Sequence, residues 1–132
     1  MTNLTFVIYG AASDIIAPIY DKYTDANFIC LINKNKPSHI KGKILETNLD
    51  SFDREFSMIL EKINKNSLIV YINAAVYQKD GIFVSNSETD IEMMIDVGIK
   101  KNLKITKLVL GEMVKRKWGR LINLSSFRSK AP

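Results

Sequence analysis

The amino-acid sequence predicts an α/β fold, an open and doubly wound parallel sheet with helices on both faces. Short β-rich runs alternate with segments of helical periodicity, which is typical of βαβ units. One run, residues 67–72, is almost continuously apolar, as expected for a strand covered on both faces. With 132 residues, 46% of them hydrophobic, and no repeat or proline-rich linker, the chain is predicted to form a single domain over residues 1–132.

Five runs are predicted as strands, and right-handed crossovers would place them in one sheet. They are Leu4–Tyr9, Phe28–Ile32, the weaker Lys43–Thr47, Ser67–Ile72 and Arg120–Leu124. If the chain ends at Pro132, the sheet is truncated after the fifth strand, which is left as a bare edge. Because apolar edge strands invite association, we expect a homo-oligomer or an aggregate rather than a stable monomer.

Two helices are predicted from apolar spacing. The first covers Phe52, Phe56, Ile59, Leu60 and Ile63, with Asp50 or Ser51 as its N-cap. The second is one long helix from about Glu88 to Lys115. Its inner face is predicted to consist of Ile91, Met94, Ile95, Gly98, Ile105, Leu108 and Val109.

Composition excludes several classes of protein. The net charge is +5, with much of the excess in lysines and arginines between residues 100 and 120. A nucleic-acid interface is one interpretation, but a solvated helix face is favoured because only Trp118 could stack on a base. One cysteine and one histidine exclude Cys/His zinc sites, so no metal is expected. The sequence has no membrane-spanning apolar run and no signal peptide, which predicts a cytoplasmic protein.

A glycine directly follows the first strand, in the segment Tyr9-Gly10-Ala11-Ala12-Ser13-Asp14-Ile15-Ile16-Ala17. A glycine there lets the backbone approach a pyrophosphate at a helix N-terminus. Only one glycine of a dinucleotide fingerprint is present, so this segment alone is equally consistent with an ordinary tight turn.

Three further segments distinguish these alternatives. Asn48-Leu49-Asp50 follows the third strand, Ile72-Asn73-Ala74-Ala75 ends the fourth, and residues 113–126 run through the fifth into Leu124-Ser125-Ser126. In this order and spacing, the four segments resemble the short-chain dehydrogenase/reductase family over the whole chain. The resemblance implies a Rossmann-like fold and an oxidoreductase that uses NAD or NADP.

The resemblance also implies roles for individual residues. The predicted cofactor contacts are Gly10, Ala11, Ser13 and Ile15 at the phosphates, Asn33 and Lys34 at the adenosine ribose, Asn48 and Leu49 at the adenine, and Asn73, Ala74 and Ala75 beneath the nicotinamide ribose. An acidic residue after strand two favours NAD, whereas a cation favours NADP. Lys34 therefore favours NADP, with NAD as the alternative.

Ser126 matches the catalytic serine of the family, which would hydrogen-bond the oxygen of a small carbonyl or alcohol substrate. The family's proton donor, in a Tyr-x-x-x-Lys motif, lies beyond Pro132. The 132-residue chain is therefore expected to be a truncated, inactive N-terminal portion, since general acid catalysis supplies about 10²–10⁴-fold. The alternative is a non-catalytic Rossmann-like protein for binding or assembly.

Several residues depart from the family pattern. Tyr9 replaces a threonine, Asp14 and Ile16 replace the second and third glycines, and Gly98 stands where the family carries an active-site asparagine. Pro18 falls early in the first helix, where it removes an N–H group. These changes put cofactor binding in question and favour either altered cofactor use or loss of catalysis.

Overall fold

The computed structural model describes residues 3–33, 40–75 and 83–124. Their strands are β1 (Leu4–Tyr9), β2 (Asn27–Ile32), β3 (Lys43–Glu46), β4 (Leu68–Asn73) and β5 (Arg120–Asn123). All pair in parallel in one five-stranded sheet, in the order β3-β2-β1-β4-β5. The predicted parallel α/β sheet is confirmed, and each predicted strand end lies within one residue of the observed end.

The described residues also form four α-helices: α1 (Ala17–Lys22), α2 (Phe52–Glu61), α3 (Glu88–Ile95) and α4 (Lys101–Arg116). Side chains alternate along the strands and feed two separate apolar layers. One layer packs against α1 and includes Phe6, Ile8, Cys30, Ile72 and Tyr20. The other packs against α2 and α4 and includes Val7, Leu31, Tyr71, Phe56 and Ile105. Helices on both faces make the sheet doubly wound, as predicted.

The start of α2 differs in detail from the predicted cap. Ser51 occupies the N-cap position, but its side chain does not cap the helix backbone. Its hydroxyl instead donates to Glu55 Oε1 at 2.8 Å. The first turn is held by packing, because the rings of Phe52 and Phe56 stack with their centroids 5.5 Å apart.

The predicted long helix from about Glu88 to Lys115 is confirmed in its extent, but its middle is not α-helical. A π-helical segment, Asp96–Lys100, separates α3 from α4. A π turn holds one residue more than an α turn, so it rotates the helix face between its two sides. Ile95 and Gly98, predicted on the inner face, are therefore exposed, and Val97 is buried in their place.

Beyond the π segment, the predicted inner face is correct where α4 is regular. Ile105 and Val109 are fully buried, and Leu108 is partly buried against the same layer. Met113 extends this row to the end of the helix. Within the described residues, no helix combines the length and the apolar character that crossing a membrane would require.

The guanidinium of Arg116, near the end of α4, binds the loop between α2 and β4. It donates to the carbonyl oxygens of Ile63 at 3.1 Å and Ser67 at 2.9 Å, and also to that of Asn64. Glu112, one turn earlier, accepts from the same group at 3.3 Å. The side chains of Arg116 and Glu112 are only 8% and 13% exposed. This contact therefore joins α4 to the entry of β4 in a largely dry environment.

We predict that Arg116→Met lowers the free energy of unfolding by about 2–4 kcal/mol, because it leaves two part-buried carbonyls and the largely buried carboxylate of Glu112 without their charged partner. Lys115→Met is the matched control. Lys115 pairs with the same Glu112, but its side chain is 72% exposed, so the expected loss is below about 1 kcal/mol. Urea unfolding followed by circular dichroism measures both. Equal losses in the two variants would contradict the role given to the Arg116 contact.

Candidate functional site

The carboxyl edge of the sheet contains a topological switch point. β1 lies at the centre, with β2 on one side and β4 on the other, so that Tyr9 stands opposite both Leu31 and Asn73. The chain leaves β1 toward one face and leaves β4 toward the other. Ligands of open α/β sheets collect in the crevice that such a divergence creates.

Gly10 brings the loops after β1 and β4 into backbone contact. Its φ is +80°, and a Cβ at this position would lie 2.5 Å from the Ala75 nitrogen. The Ala74 N–H donates to the Tyr9 carbonyl at 2.8 Å, and the Gly10 N–H donates to the Leu31 carbonyl at 2.9 Å. Only glycine satisfies both the positive φ and the close approach.

The turn after Gly10 is only partly open. Ala11 is fully buried, and its carbonyl accepts from the Tyr20 hydroxyl at 3.2 Å. Ser13 is half-buried and Ile15 is exposed. If a ligand binds here, Ala11 therefore offers it no side chain, and Ser13 and Ile15 present the accessible surface.

The residues that replace the family's later glycines are accommodated. Asp14 is exposed, and Ile16 packs into the α1-side layer at 1% exposure. A short 3₁₀ turn, Asp14–Ile16, precedes α1, so Pro18 falls in the first turn of the helix. A proline is tolerated there because the N–H groups of a first turn have no partner within the helix.

The end of β4 is shaped by Asn73. Its side-chain oxygen accepts from the Ala75 N–H at 3.3 Å, and its side-chain nitrogen donates to Asn123 Oδ1 at 3.4 Å. Its carbonyl accepts from the Leu124 N–H at 3.0 Å. Asn73 thus holds the loop after β4 and ties it to β5.

A second group of polar side chains, the amide cluster, lies at the ends of β2 and β3. It comprises Asn33, Thr47, Asn48 and Lys101. The Thr47 hydroxyl donates to Asn33 Oδ1 at 2.9 Å, and Asn48 Nδ2 donates to the Asn33 carbonyl at 2.8 Å. Lys101 Nζ donates to Asn33 Oδ1 at 3.2 Å and also to Asn48 Oδ1.

Lys101 is a site residue that the sequence did not reveal. It was expected on a solvated face, but its side chain is 15% exposed and pairs with Asp96 at 3.3 Å. The π segment brings this pair together, because residues five apart share a face in a π turn. A cavity of about 420 Å³ lies beside the pair, lined by Thr47, Leu49, Asp50, Phe52, Asp53, Asp96, Lys100, Lys101 and Lys104.

Tyr9 connects β1 to the π segment. Its hydroxyl donates to the Val97 carbonyl at 3.1 Å, and its side chain is completely buried. Burial raises the pKa of Tyr9 to about 12, the charge of Asp96 acts in the same direction, and a hydrogen bond with Asn33 opposes both. Tyr9 is therefore a neutral structural anchor at neutral pH, which accounts for an aromatic residue at this position.

The predicted cofactor contacts fall into three groups along the carboxyl edge. These are Gly10, Ala11, Ser13 and Ile15 after β1; Asn33, Asn48 and Leu49 after β2 and β3; and Asn73, Ala74 and Ala75 at the end of β4. Lys34 and Ser126 lie outside the described residues. The structure therefore brings together all the predicted residues that it describes, and their individual roles stay predictions.

Comparison with known proteins identifies similar sequences and folds. The sequence model of the family "short chain dehydrogenase" matches residues 23–132. Oxidoreductase UcpA of Salmonella typhimurium is 38% identical over 96% of this chain and 52% of its own length. The 3-oxoacyl-(acyl-carrier-protein) reductase FabG of Rickettsia prowazekii is 26% identical over 96% of this chain and 55% of its own. The chain thus spans about half the length of these relatives.

Among solved structures, a short-chain dehydrogenase from Leptospira borgpetersenii with bound NAD⁺ has the same fold. It aligns with a TM-score of 0.77 at 16% identity, covering 100% of this chain and 56% of that chain. At this level of identity, the likeness concerns the fold alone.

We predict that Gly10→Ala destabilises the protein by about 2 kcal/mol or more, because a methyl group would meet the backbone of the loop after β4. Gly111→Ala is the control. Gly111 lies in α4, and a Cβ there would meet nothing within 4 Å, so stability should be unchanged or rise by up to about 1 kcal/mol. Thermal and urea unfolding test both variants. A Gly10→Ala protein as stable as the unaltered protein would show that the two loops are free to separate.

We predict that Tyr9→Phe reduces the alkaline sensitivity of folding. The pKa of Tyr9 rises from 10.0 in the unfolded chain to about 12 in the folded protein. The stability it contributes is therefore complete below pH 10 and is lost as the pH rises toward 12.

Tyr9→Phe should cost about 1 kcal/mol at pH 8 through the lost hydrogen bond. Between about pH 8 and 11, the free energy of unfolding of the Tyr9→Phe variant should then fall by roughly 1 kcal/mol less than that of the unaltered protein. The buried Tyr20, whose pKa burial also raises, is present in both proteins and cancels in this comparison. Burial and the charge of Tyr9 both raise the pKa of Tyr71, so the loss of Tyr9 weakens the alkaline effect of Tyr71 in the same direction. Parallel stability curves from urea unfolding would rule out Tyr9 as a source of the pH dependence.

Proposed function

The chain belongs to the short-chain dehydrogenase family, and from this premise we propose that it forms the nucleotide-binding part of an oxidoreductase that uses a nicotinamide cofactor, NADP in preference to NAD. The observation that carries the proposal is the backbone contact of Gly10 with Ala75 at the switch point. Because Gly10 has no side chain, the two loops meet backbone to backbone at this point. A pyrophosphate needs such close access to backbone N–H groups.

The residues at this edge fit a dinucleotide. Ser13 is the N-cap of the 3₁₀ turn, and its side chain makes no capping hydrogen bond, so the first N–H groups of the turn have no side-chain cap. The exposed Leu49 offers an apolar surface for an adenine ring. Both polar ends of the Asn48 carboxamide are engaged within the amide cluster, so we assign adenine contact to Leu49 rather than to the Asn48 side chain.

The preference for NADP rests on charge at the end of β2. A carboxylate there would accept a hydrogen bond from the 2′-hydroxyl of NAD and would repel a 2′-phosphate. This chain has Asn33 and Lys34 instead. An uncharged carboxamide followed by a cation suits the phosphate better.

For the chemistry, the nicotinamide ring when bound supplies or accepts the hydride. Ser126 would then hold the oxygen of a small carbonyl or alcohol substrate by its hydroxyl group. Residues 1–132 contain no Tyr-x-x-x-Lys sequence after Ser126. We therefore propose that these residues bind nucleotide but do not turn over substrate unless such a motif is supplied.

A second proposal is a non-catalytic binding or assembly protein with the same fold. Gly98 supports it, because it stands where the family carries an active-site asparagine and is exposed in the π segment. Association of identical chains is supported by the apolar Leu103 and Val114 on α4, which are 62% and 74% exposed. It is also supported by β5, the edge strand among the described residues, in which Leu121 and Ile122 are 41% and 43% exposed. In either case, the single buried thiol of Cys30 suits the cytoplasm.

We predict that NADPH binds the purified protein more tightly than NADH and that Lys34→Asp reverses this order. The new carboxylate would repel the 2′-phosphate and accept from the 2′-hydroxyl. Titration of cofactor fluorescence gives both dissociation constants. Lys65→Asp makes the same change of charge at the opposite edge of the sheet, before β4, and should leave the ratio unchanged. Absence of binding for both nucleotides would overturn the cofactor assignment and leave the assembly protein as the better proposal.

A further inference from the structure

We propose that Lys101 is a second determinant of nucleotide specificity, a cation supplied by α4 that selects a nucleotide carrying a 2′-phosphate. This inference rests on the proposed function and extends it to a residue outside the loop after β2. The observation behind it is the position of Lys101 Nζ. Lys101 Nζ contacts Asn33 at the end of β2, Asn48 after β3 and Asp96 in the π segment.

This position is at the adenosine end of the proposed site. Asn33 would border the ribose and Leu49, the neighbour of Asn48, would border the adenine. An ammonium that contacts the Asn33 and Asn48 carboxamides therefore lies beside the adenosine end of the proposed site. The side chain is 15% exposed, and its hydrogen bond with Asn48 lies in an exposed position. Among the described cations, Lys101 is the one that contacts both Asn33 and Asn48.

A cation in this position distinguishes the two cofactors strongly. A phosphate monoester carries a charge of about −1.5 to −2 at neutral pH and accepts charge-assisted hydrogen bonds, which are stronger than those to a neutral amide oxygen. The flexible lysine stem lets the ammonium turn from Asn33 Oδ1 toward the phosphate. A 2′-hydroxyl is uncharged and gains little from the same group.

Neighbouring charges indicate that this selection acts at short range. The cavity beside Lys101 carries as many lysines as aspartates: Lys100, Lys101, Lys104, Asp50, Asp53 and Asp96. Lys104 and Asp53 form their own ion pair at 3.2 Å. The wall as a whole is balanced, so a preference for phosphate must come from direct contact with Lys101 and must be reduced by its partner Asp96.

The cluster does not need the ammonium for its cohesion. Without it, Asn33 Oδ1 still accepts from Thr47 and Asn48 Nδ2 still donates to the Asn33 carbonyl. The Asp96 side chain is 43% exposed and can be hydrated in place of its ion pair. Lys101→Met keeps most of the buried stem, so we expect a folded variant.

The experiment compares the dissociation constants of NADPH and NADH, measured by cofactor fluorescence, in four proteins. In Lys101→Met, the preference for NADPH should fall by about tenfold, the effect of one close charge contact near a protein surface. In Asp96→Asn, which frees the ammonium from its ion pair, the preference should rise severalfold. In Lys104→Met, a matched loss of charge one turn away on the same helix, it should not change.

The outcomes separate this inference from the proposed function. Equal weakening of both cofactors in Lys101→Met would assign Lys101 a purely structural role and overturn the inference. An equal fall in preference in Lys101→Met and Lys104→Met would replace it with a general effect of net charge. If the unaltered protein bound neither cofactor, the proposed function itself would be wrong. If it bound both and Lys101→Met left the ratio unchanged, only the role of Lys101 would be wrong.

Discussion

The close approach of Gly10 to the loop after β4 is the constraint on which the carboxyl edge depends. Its positive φ turns the chain sharply at the end of β1, and the absence of a side chain lets the Ala74–Ala75 backbone lie against it. The two loops then diverge from a common point, which sets the position and width of the crevice. One glycine is sufficient for this turn because the side chains at the family's later glycine positions lie away from the contact between the loops. Asp14 is exposed to solvent, and Ile16 is buried in the core.

The π segment Asp96–Lys100 links the helical layer to this edge. It rotates Val97 into the core, and it places Asp96 and Lys101 on one face, where they meet the ends of β2 and β3. The Tyr9 hydroxyl links the same segment to β1 by donating a hydrogen bond to the Val97 carbonyl. An irregular turn of this kind is frequently retained where it serves a site, and here it supplies the only described lysine within hydrogen-bonding distance of Asn33 and Asn48.

The strands could be predicted because each apolar run has a clear boundary. Gly10 ends the first, and polar stretches flank the others. The π segment within the long helix could not be predicted, since the apolar pattern of Ile95, Val97, Gly98 and Ile99 is compatible with several helical faces. Packing against the sheet selects among them. Lys101 was missed for a related reason, because its partners Asn33 and Asn48 lie 68 and 53 residues away in the chain. Only the assembled sheet distinguishes it from the solvated lysines around it.

The order of the strands also has a consequence for the newly made chain on the ribosome. β1 is synthesised first but lies at the centre of the sheet, between β2 and β4. Its pairing with β4 joins Leu4 to Leu68 and Tyr9 to Asn73, so this apolar strand lacks one neighbour until more than half of the 132 residues have been made. The loop that leads into β4 gains its hydrogen bond from Arg116 only after α4 has been synthesised. Such a delay exposes apolar surface during translation, well before the proposed nucleotide site can form.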